Sequence, residues 1–240
     1  MIRGSDQRSI FGDDAVIDTR WAAPSAEQRQ RVLRNTYALL ALSMLPTIVG
    51  AWVGLSFNLG GLFRGWMGAI VFMAVAFGFF FAIEKYKNSS VGVALLLGFT
   101  GFMGVMLSGL LSVALRFSNG PQMITMTAGA TAMLFFVLAG FATTTKRDLS
   151  NMGKFLTIGL VMLLVAMIAN LFFQVPAFQL ALLTISFAIF AGFLVFDLNR
   201  IVNGGETNYV TATLAVYLDL YNMFTSLLQL VMAFTGQRDE

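Results

Sequence analysis

The chain has 240 residues, of which 58% are hydrophobic and only 11% charged, and its formal charge is +3. A soluble domain carries about 25% charged residues, so composition excludes a water-soluble globular domain. Cysteine and histidine are both absent, which removes disulfides, Cys/His zinc sites, imidazole haem ligation, Ser-His proteolysis and histidine pH sensing.

Residues 1–34 are polar, with six arginines and five acids, and no apolar h-region follows Met1. That pattern argues against a cleaved signal peptide and predicts a cytoplasmic N-terminal tail. Its Arg29–Arg34 end reads as the positive flank that orients the first helix, in preference to a patch lying on anionic headgroups. Residues 35–236 form the second unit, a transmembrane domain. Seven apolar runs make it up: Thr36–Gly54, Trp66–Ile83, Val91–Leu111, Met123–Ala142, Phe155–Phe173, Phe178–Phe196 and Tyr209–Phe234. Each is near the ~20 residues that cross a bilayer as a helix. The fold class is therefore an all-α integral membrane bundle of seven transmembrane helices, with the lipid bilayer as its first partner. No folded basic domain stands outside it to hold a nucleic acid.

Pro46 predicts a kink in the first segment. The third carries Gly98, Gly101, Gly104, Ser108 and Gly109, small residues that let helices approach closely. Packing is the simpler reading of them, ahead of a pore lining or hinge. Loop charge orients the bundle. With the N-terminus in the cytoplasm, the tail arginines, Lys85, Lys87, Lys146, Arg147, Lys154 and Arg200 lie inside, and only Arg64, Arg116 and Arg238 lie outside. This is a strong positive-inside bias. Seven spans then put the C-terminus outside, unless the last segment is re-entrant.

The candidate site lies on the last two segments. Asp197 and Asp219 sit in or beside apolar sequence, where a carboxylate costs several kcal/mol unless protonated, paired or wetted. Asp219, Asn222, Ser226 and Gln229 are spaced three, four and three apart, and so share one helical face. A lipid-facing stripe of this kind is costly, which predicts that segment 7 is surrounded by the others. Hydrogen bonds between helices would account for Asn222, Ser226 and Gln229, but not for an ionisable Asp219. Asn203-Gly204-Gly205 is a helix stop signal, so helix 6 should run to about Val202 with Asp197 roughly 7.5 Å inside its end. Helix 7 should begin near Thr207 or Asn208, one of them its N-cap. Asp219 then lies ~17 Å along its helix, a mismatch of about 9 Å that contact would have to absorb. If the carboxylates meet, they cannot both ionise cheaply and share a proton. When both are charged they part and offer oxygens to a hard cation such as Ca²⁺. Arg200 is a local counter-ion candidate, with headgroup anchoring as its simpler role.

Ala191-Gly192-Phe193-Leu194-Val195-Phe196-Asp197 and Ala215-Val216-Tyr217-Leu218-Asp219-Leu220-Tyr221-Asn222-Met223-Phe224 resemble the transmembrane Bax inhibitor motif family. Residues 31–37, Thr143-Thr144-Thr145-Lys146-Arg147-Asp148-Leu149-Ser150 and Gly204-Gly205-Glu206-Thr207-Asn208-Tyr209 are similar to its bacterial YccA-type branch. The resemblance covers roughly residues 30–235. It implies a seven-helix fold with the C-terminal helix central, in a bacterial inner membrane. It also implies that Asp197 and Asp219 match the paired aspartates of a pH-sensitive latch in members described as calcium leak channels. The YccA-type branch implies restraint of the FtsH-type AAA protease instead. Many leak members carry a helix-2 arginine, and Trp66–Ile83 has no basic residue.

The leading expectation is thus a pH-sensitive Ca²⁺ leak gated by Asp197 and Asp219, with Asn222, Ser226 and Arg200 around them and no cofactor. The alternative is a membrane-embedded modulator of an FtsH-type protease. An intramembrane aspartyl protease is the weakest of the three: no Gly-x-Gly-Asp precedes Asp219, and the only Pro-Ala is Pro176-Ala177. The reading is therefore of a protein that is not an enzyme.

Overall fold

The computed structural model describes residues 24–61, 65–145 and 149–236. Within them lie seven long helices: α1 (Ala26–Ser56), α2 (Gly65–Tyr86), α3 (Ser90–Ala114), α4 (Gly120–Thr144), α5 (Ser150–Phe173), α6 (Pro176–Val202) and α7 (Tyr209–Gly236), with one 3-10 turn at Leu59–Gly61. All seven are long and apolar enough to cross a membrane. Each contains one of the seven apolar runs and extends it by a few residues, because hydropathy marks only the part that hydrocarbon solvates.

The largest extension is at the start of α1. Ser25 accepts the Gln28 backbone N–H at 3.2 Å, and the Gln28 side chain accepts the Ser25 N–H at 2.9 Å. This reciprocal capping box satisfies two orphan donors and starts the helix at Ala26. The first turns are then reinforced by an Arg31–Glu27 pair at 3.3 Å, worth a few tenths of a kcal/mol at most when exposed. Residues 26–34, read from sequence as tail, are therefore helical. At 31 residues, α1 is about 46 Å long against a hydrocarbon core of about 30 Å. The surplus is a short stalk bearing Arg29, Arg31 and Arg34. The rest of the expected tail, residues 1–23, lies outside the described residues, as do Lys146, Arg147 and Asp148. The helix continues through Pro46, whose ring deprives the Leu42 carbonyl of its helical donor.

α1 and α3 make the tightest crossing. A methyl group on Gly50 would fall on the Gly101 carbonyl oxygen, and one on Gly104 would fall on the Thr47 carbonyl oxygen. The small residues of α3 are thus a packing surface, and the backbones touch because no Cβ intervenes. A polar knot closes the same crossing onto α7. The Tyr217 hydroxyl lies 2.9 Å from Thr47 Oγ1 and 3.4 Å from the Thr100 carbonyl. Thr47 donates to the Ser43 carbonyl at 2.8 Å, and Tyr221 donates to the Met103 carbonyl at 3.2 Å. Tyr217 is 1% exposed, so water supplies none of these partners and the network carries the polar balance alone.

α7 touches α1, α2, α3, α4 and α6, whereas α5 touches only α6 among the described residues. The C-terminal helix is central, and α5 is peripheral. Phe77, Phe81, Phe136, Phe155 and Phe172 point outward. On a soluble protein such a surface would aggregate; here it faces acyl chains.

Candidate functional site

The site is built where α6 ends and α7 begins. Gly204 adopts a left-handed conformation at φ 78°. Its N–H donates to the Ile201 carbonyl at 3.1 Å, and the Gly205 N–H donates to the Arg200 carbonyl at 2.8 Å. This is a Schellman ending, at the stop signal read from sequence. Arg200 then folds back over the connection. Its Nε donates to the Gly205 carbonyl at 3.2 Å, and its guanidinium pairs with Glu206 at 3.3 Å. The other Glu206 oxygen accepts the N–H groups of Thr207 and Asn208 at 2.9 and 2.8 Å. Asn208 is the N-cap of α7, its Oδ1 accepting from Val210 and Thr211 at 2.9 and 3.2 Å. Its Nδ2 reaches Asn88 Oδ1 at 2.8 Å, which pins the start of α7 to the turn between α2 and α3.

On this frame Asp197 stands five residues before Val202, and Asp219 stands ten after Tyr209. Their carboxyl groups lie within hydrogen-bonding reach of each other. Asp219 is 4% exposed, and its Oδ2 has no hydrogen-bond partner among the described residues. Asp197 is half-buried. The axial mismatch, about 7.5 Å for five residues, is absorbed by the connection. Six residues, 203–208, let α7 start beyond the end of α6. An ionised carboxylate has no proton to donate, so a hydrogen bond between the two acids exists only when one is protonated. With both charged, two unit charges about 4 Å apart repel by about 4 kcal/mol at an effective dielectric near 20. Among the described residues no group of three or more His, Cys, Asp or Glu forms a metal cluster. The pair alone offers four oxygens, fewer than the 6–8 that Ca²⁺ takes. A calcium ion there would complete its shell from carbonyls and water.

The remaining expected site residues divide. Ser226 donates across the helix interface to Ser186 Oγ at 3.0 Å. Asn222 and Gln229 donate instead within α7, to the Leu218 carbonyl at 2.8 Å and the Thr225 carbonyl at 3.0 Å. The expected bonding between helices therefore holds for Ser226, while these two amide donors stay on their own helix. Arg200 pairs with Glu206 and Gly205 and so closes the connection; it makes no direct ion pair with Asp197, but its charge acts on that carboxyl from one turn away.

Ser186 is the residue that sequence reasoning missed, although a signal was present. It lies eleven residues before Asp197, about three full turns, so the two share one face of α6. Ser226 lies seven after Asp219, about two turns. The α6–α7 seam thus carries two polar contacts at two depths, an acid pair near the connection and a serine pair farther in. Asn199 adds a tie on another side of α6, its Nδ2 donating to the Ala142 carbonyl at 3.3 Å.

Comparison with known proteins sets this architecture in a family. Residues 29–237 match the model described as inhibitor of apoptosis-promoting Bax1. A protein of Escherichia coli K12 named modulator of FtsH protease YccA is 34% identical over 218 residues, 91% of this chain and 97% of that one. An uncharacterised protein of Pseudomonas aeruginosa is 37% identical over 208 residues, covering 85% of this chain and 91% of its own. An uncharacterised membrane protein of Vibrio cholerae is 36% identical over 205 residues, covering 85% and 90%. The match takes in all seven helices together with the α6–α7 connection, and the chain belongs to the Bax inhibitor-1 family.

Proposed function

We propose that this chain is a modulator of an FtsH-type membrane protease, acting from within a bacterial inner membrane with its N-terminus in the cytoplasm. The observation that carries this reading is the similarity, along 91% of the chain, to a protein named as such a modulator. The orientation rests on the lysine and arginine bias, which puts the α1 stalk and the α6–α7 connection on the cytoplasmic side. The test is the half-life of a membrane substrate of the protease in cells with and without extra copies of this chain. The half-life should lengthen several-fold with the extra copies. An unchanged half-life would remove the reading.

A second reading is favoured by the contact between Asp197 and Asp219. In it the pair is a proton-sensitive latch on a cation path, with Ca²⁺ as the ion carried. Acid keeps one proton between the carboxyl groups and holds α6 on α7. Base charges both, and their repulsion parts the seam at the level of the connection. What supports this is the burial of Asp219 beside Asp197, where a shared proton costs less than two charges. The two readings are compatible, since a protease could sense the state of the seam.

A further inference from the structure

The last four carbonyl groups of a helix have no partner within it, and at the end of α6 each can be traced. The Asn199 carbonyl accepts from Asn203, the Arg200 carbonyl from Gly205 and Glu206, and the Ile201 carbonyl from Gly204. The fourth, Val202, is 173 positions from its donor: Arg29 Nη1, on the α1 stalk, at 3.5 Å. The contact is long, but it sets a cation on the negative end of the α6 dipole, where such a charge is favoured. Carbon packing accompanies it. A Cβ on Gly204 would lie 3.1 Å from Arg29 Cδ and 3.3 Å from Pro24 Cγ, so Pro24, just before α1, and Arg29, in its first turn, rest on the glycine that ends α6. Ile201 belongs to the main core, and Val32 and Leu33 pack against that core.

We infer that the start of α1 is a clasp on the α6–α7 connection, and that it holds the Asp197–Asp219 contact closed. Asp197 lies five residues from the clasped carbonyl, in the same rigid helix, so displacing that end moves the acid. The serine pair lies about 16 Å farther along α6 and is held independently. Nothing in the sequence alone joins Arg29 to Val202; the link is visible only once the stalk is known to be helical.

The chain has no cysteine, which makes crosslinking direct. In membranes, the pair Asp197→Cys/Asp219→Cys is bridged with a short membrane-permeant bis-thiosulfonate, with Arg29 intact, as Arg29→Lys and as Arg29→Ala. Ser186→Cys/Ser226→Cys reports the deeper level of the same seam. A hydrogen bond to a charged group sets the expected size: Arg29→Ala should slow bridging of the 197/219 pair about tenfold, with Arg29→Lys intermediate and the 186/226 pair unchanged. Equal bridging of the 197/219 pair in all three backgrounds would overturn the clasp. So would a matching fall at both levels, which would show that Arg29 only supports the fold as a whole.

Discussion

Gly50 and Gly101 face each other across the α1–α3 crossing, yet alanine should have opposite effects at the two positions. A Cβ on Gly50 meets the Gly101 carbonyl oxygen and, at 3.1 Å, the Val105 nitrogen. Both are backbone atoms of a helix and cannot rotate away. The helices must part by about 1.4 Å to take this 2.0 Å approach to the 3.4 Å of ordinary contact, and overpacking of this kind costs about 1–3 kcal/mol. Parting also stretches the contact between Thr47 Oγ1 and the Thr100 carbonyl, now 3.1 Å, at a further cost of about 1 kcal/mol. A Cβ on Gly101 instead lies 3.6 Å from the Pro46 carbonyl and 3.7 Å from Pro46 Cβ, ordinary contact distances. There the gain in helix propensity, up to about 1 kcal/mol, is not opposed. Thermal unfolding of the purified protein in detergent, followed by loss of the monodisperse peak, reads the difference. At about 2–4 °C per kcal/mol for a chain of this size, Gly50→Ala should lower Tm by roughly 5–15 °C. Gly101→Ala should leave it unchanged or raise it slightly. Equal losses at the two positions would refute the claim that backbone contact at Gly50 sets this crossing.

Two further outcomes follow from the seam and the loop charges. In proteoliposomes, any Ca²⁺ flux should be lower at pH 6 than at pH 8, and Asp219→Asn should flatten that profile, because an amide neither loses a proton nor repels Asp197; a profile unchanged by the substitution would reject the latch. In intact cells, a single cysteine at Asn88 should be shielded from an impermeant thiol reagent and one at Arg116 should react, with the reverse pattern contradicting the cytoplasmic N-terminus.

Much of this molecule could be read from its residues. The seven spans follow from run length alone, and the end of α6 follows from Asn203-Gly204-Gly205, since a left-handed glycine turns the chain so that its N–H groups satisfy terminal carbonyls. The burial of α7 follows from a polar stripe that lipid would not tolerate. The stalk of α1 was hidden because its charged residues end the hydropathy signal, although Ser25 and Gln28 have the spacing of a capping box. Contact between Asp197 and Asp219 was not legible, because it depends on how far the 203–208 connection carries α7 past the end of α6. The Thr47–Tyr217 contact joins positions 170 apart in sequence and has no local signature, since a threonine in a helix can satisfy itself on its own backbone.

Modulation of a membrane protease can be measured with two purified components. An FtsH-type protease is reconstituted in liposomes with and without an equimolar amount of this protein, and degradation of a membrane substrate is followed under ATP, with a soluble unfolded substrate alongside. Slower loss of the membrane substrate in the presence of this chain is the predicted result. Identical degradation curves, with both proteins shown to be inserted in the same vesicles, would contradict the account and leave the acid pair as the feature that defines the protein's activity.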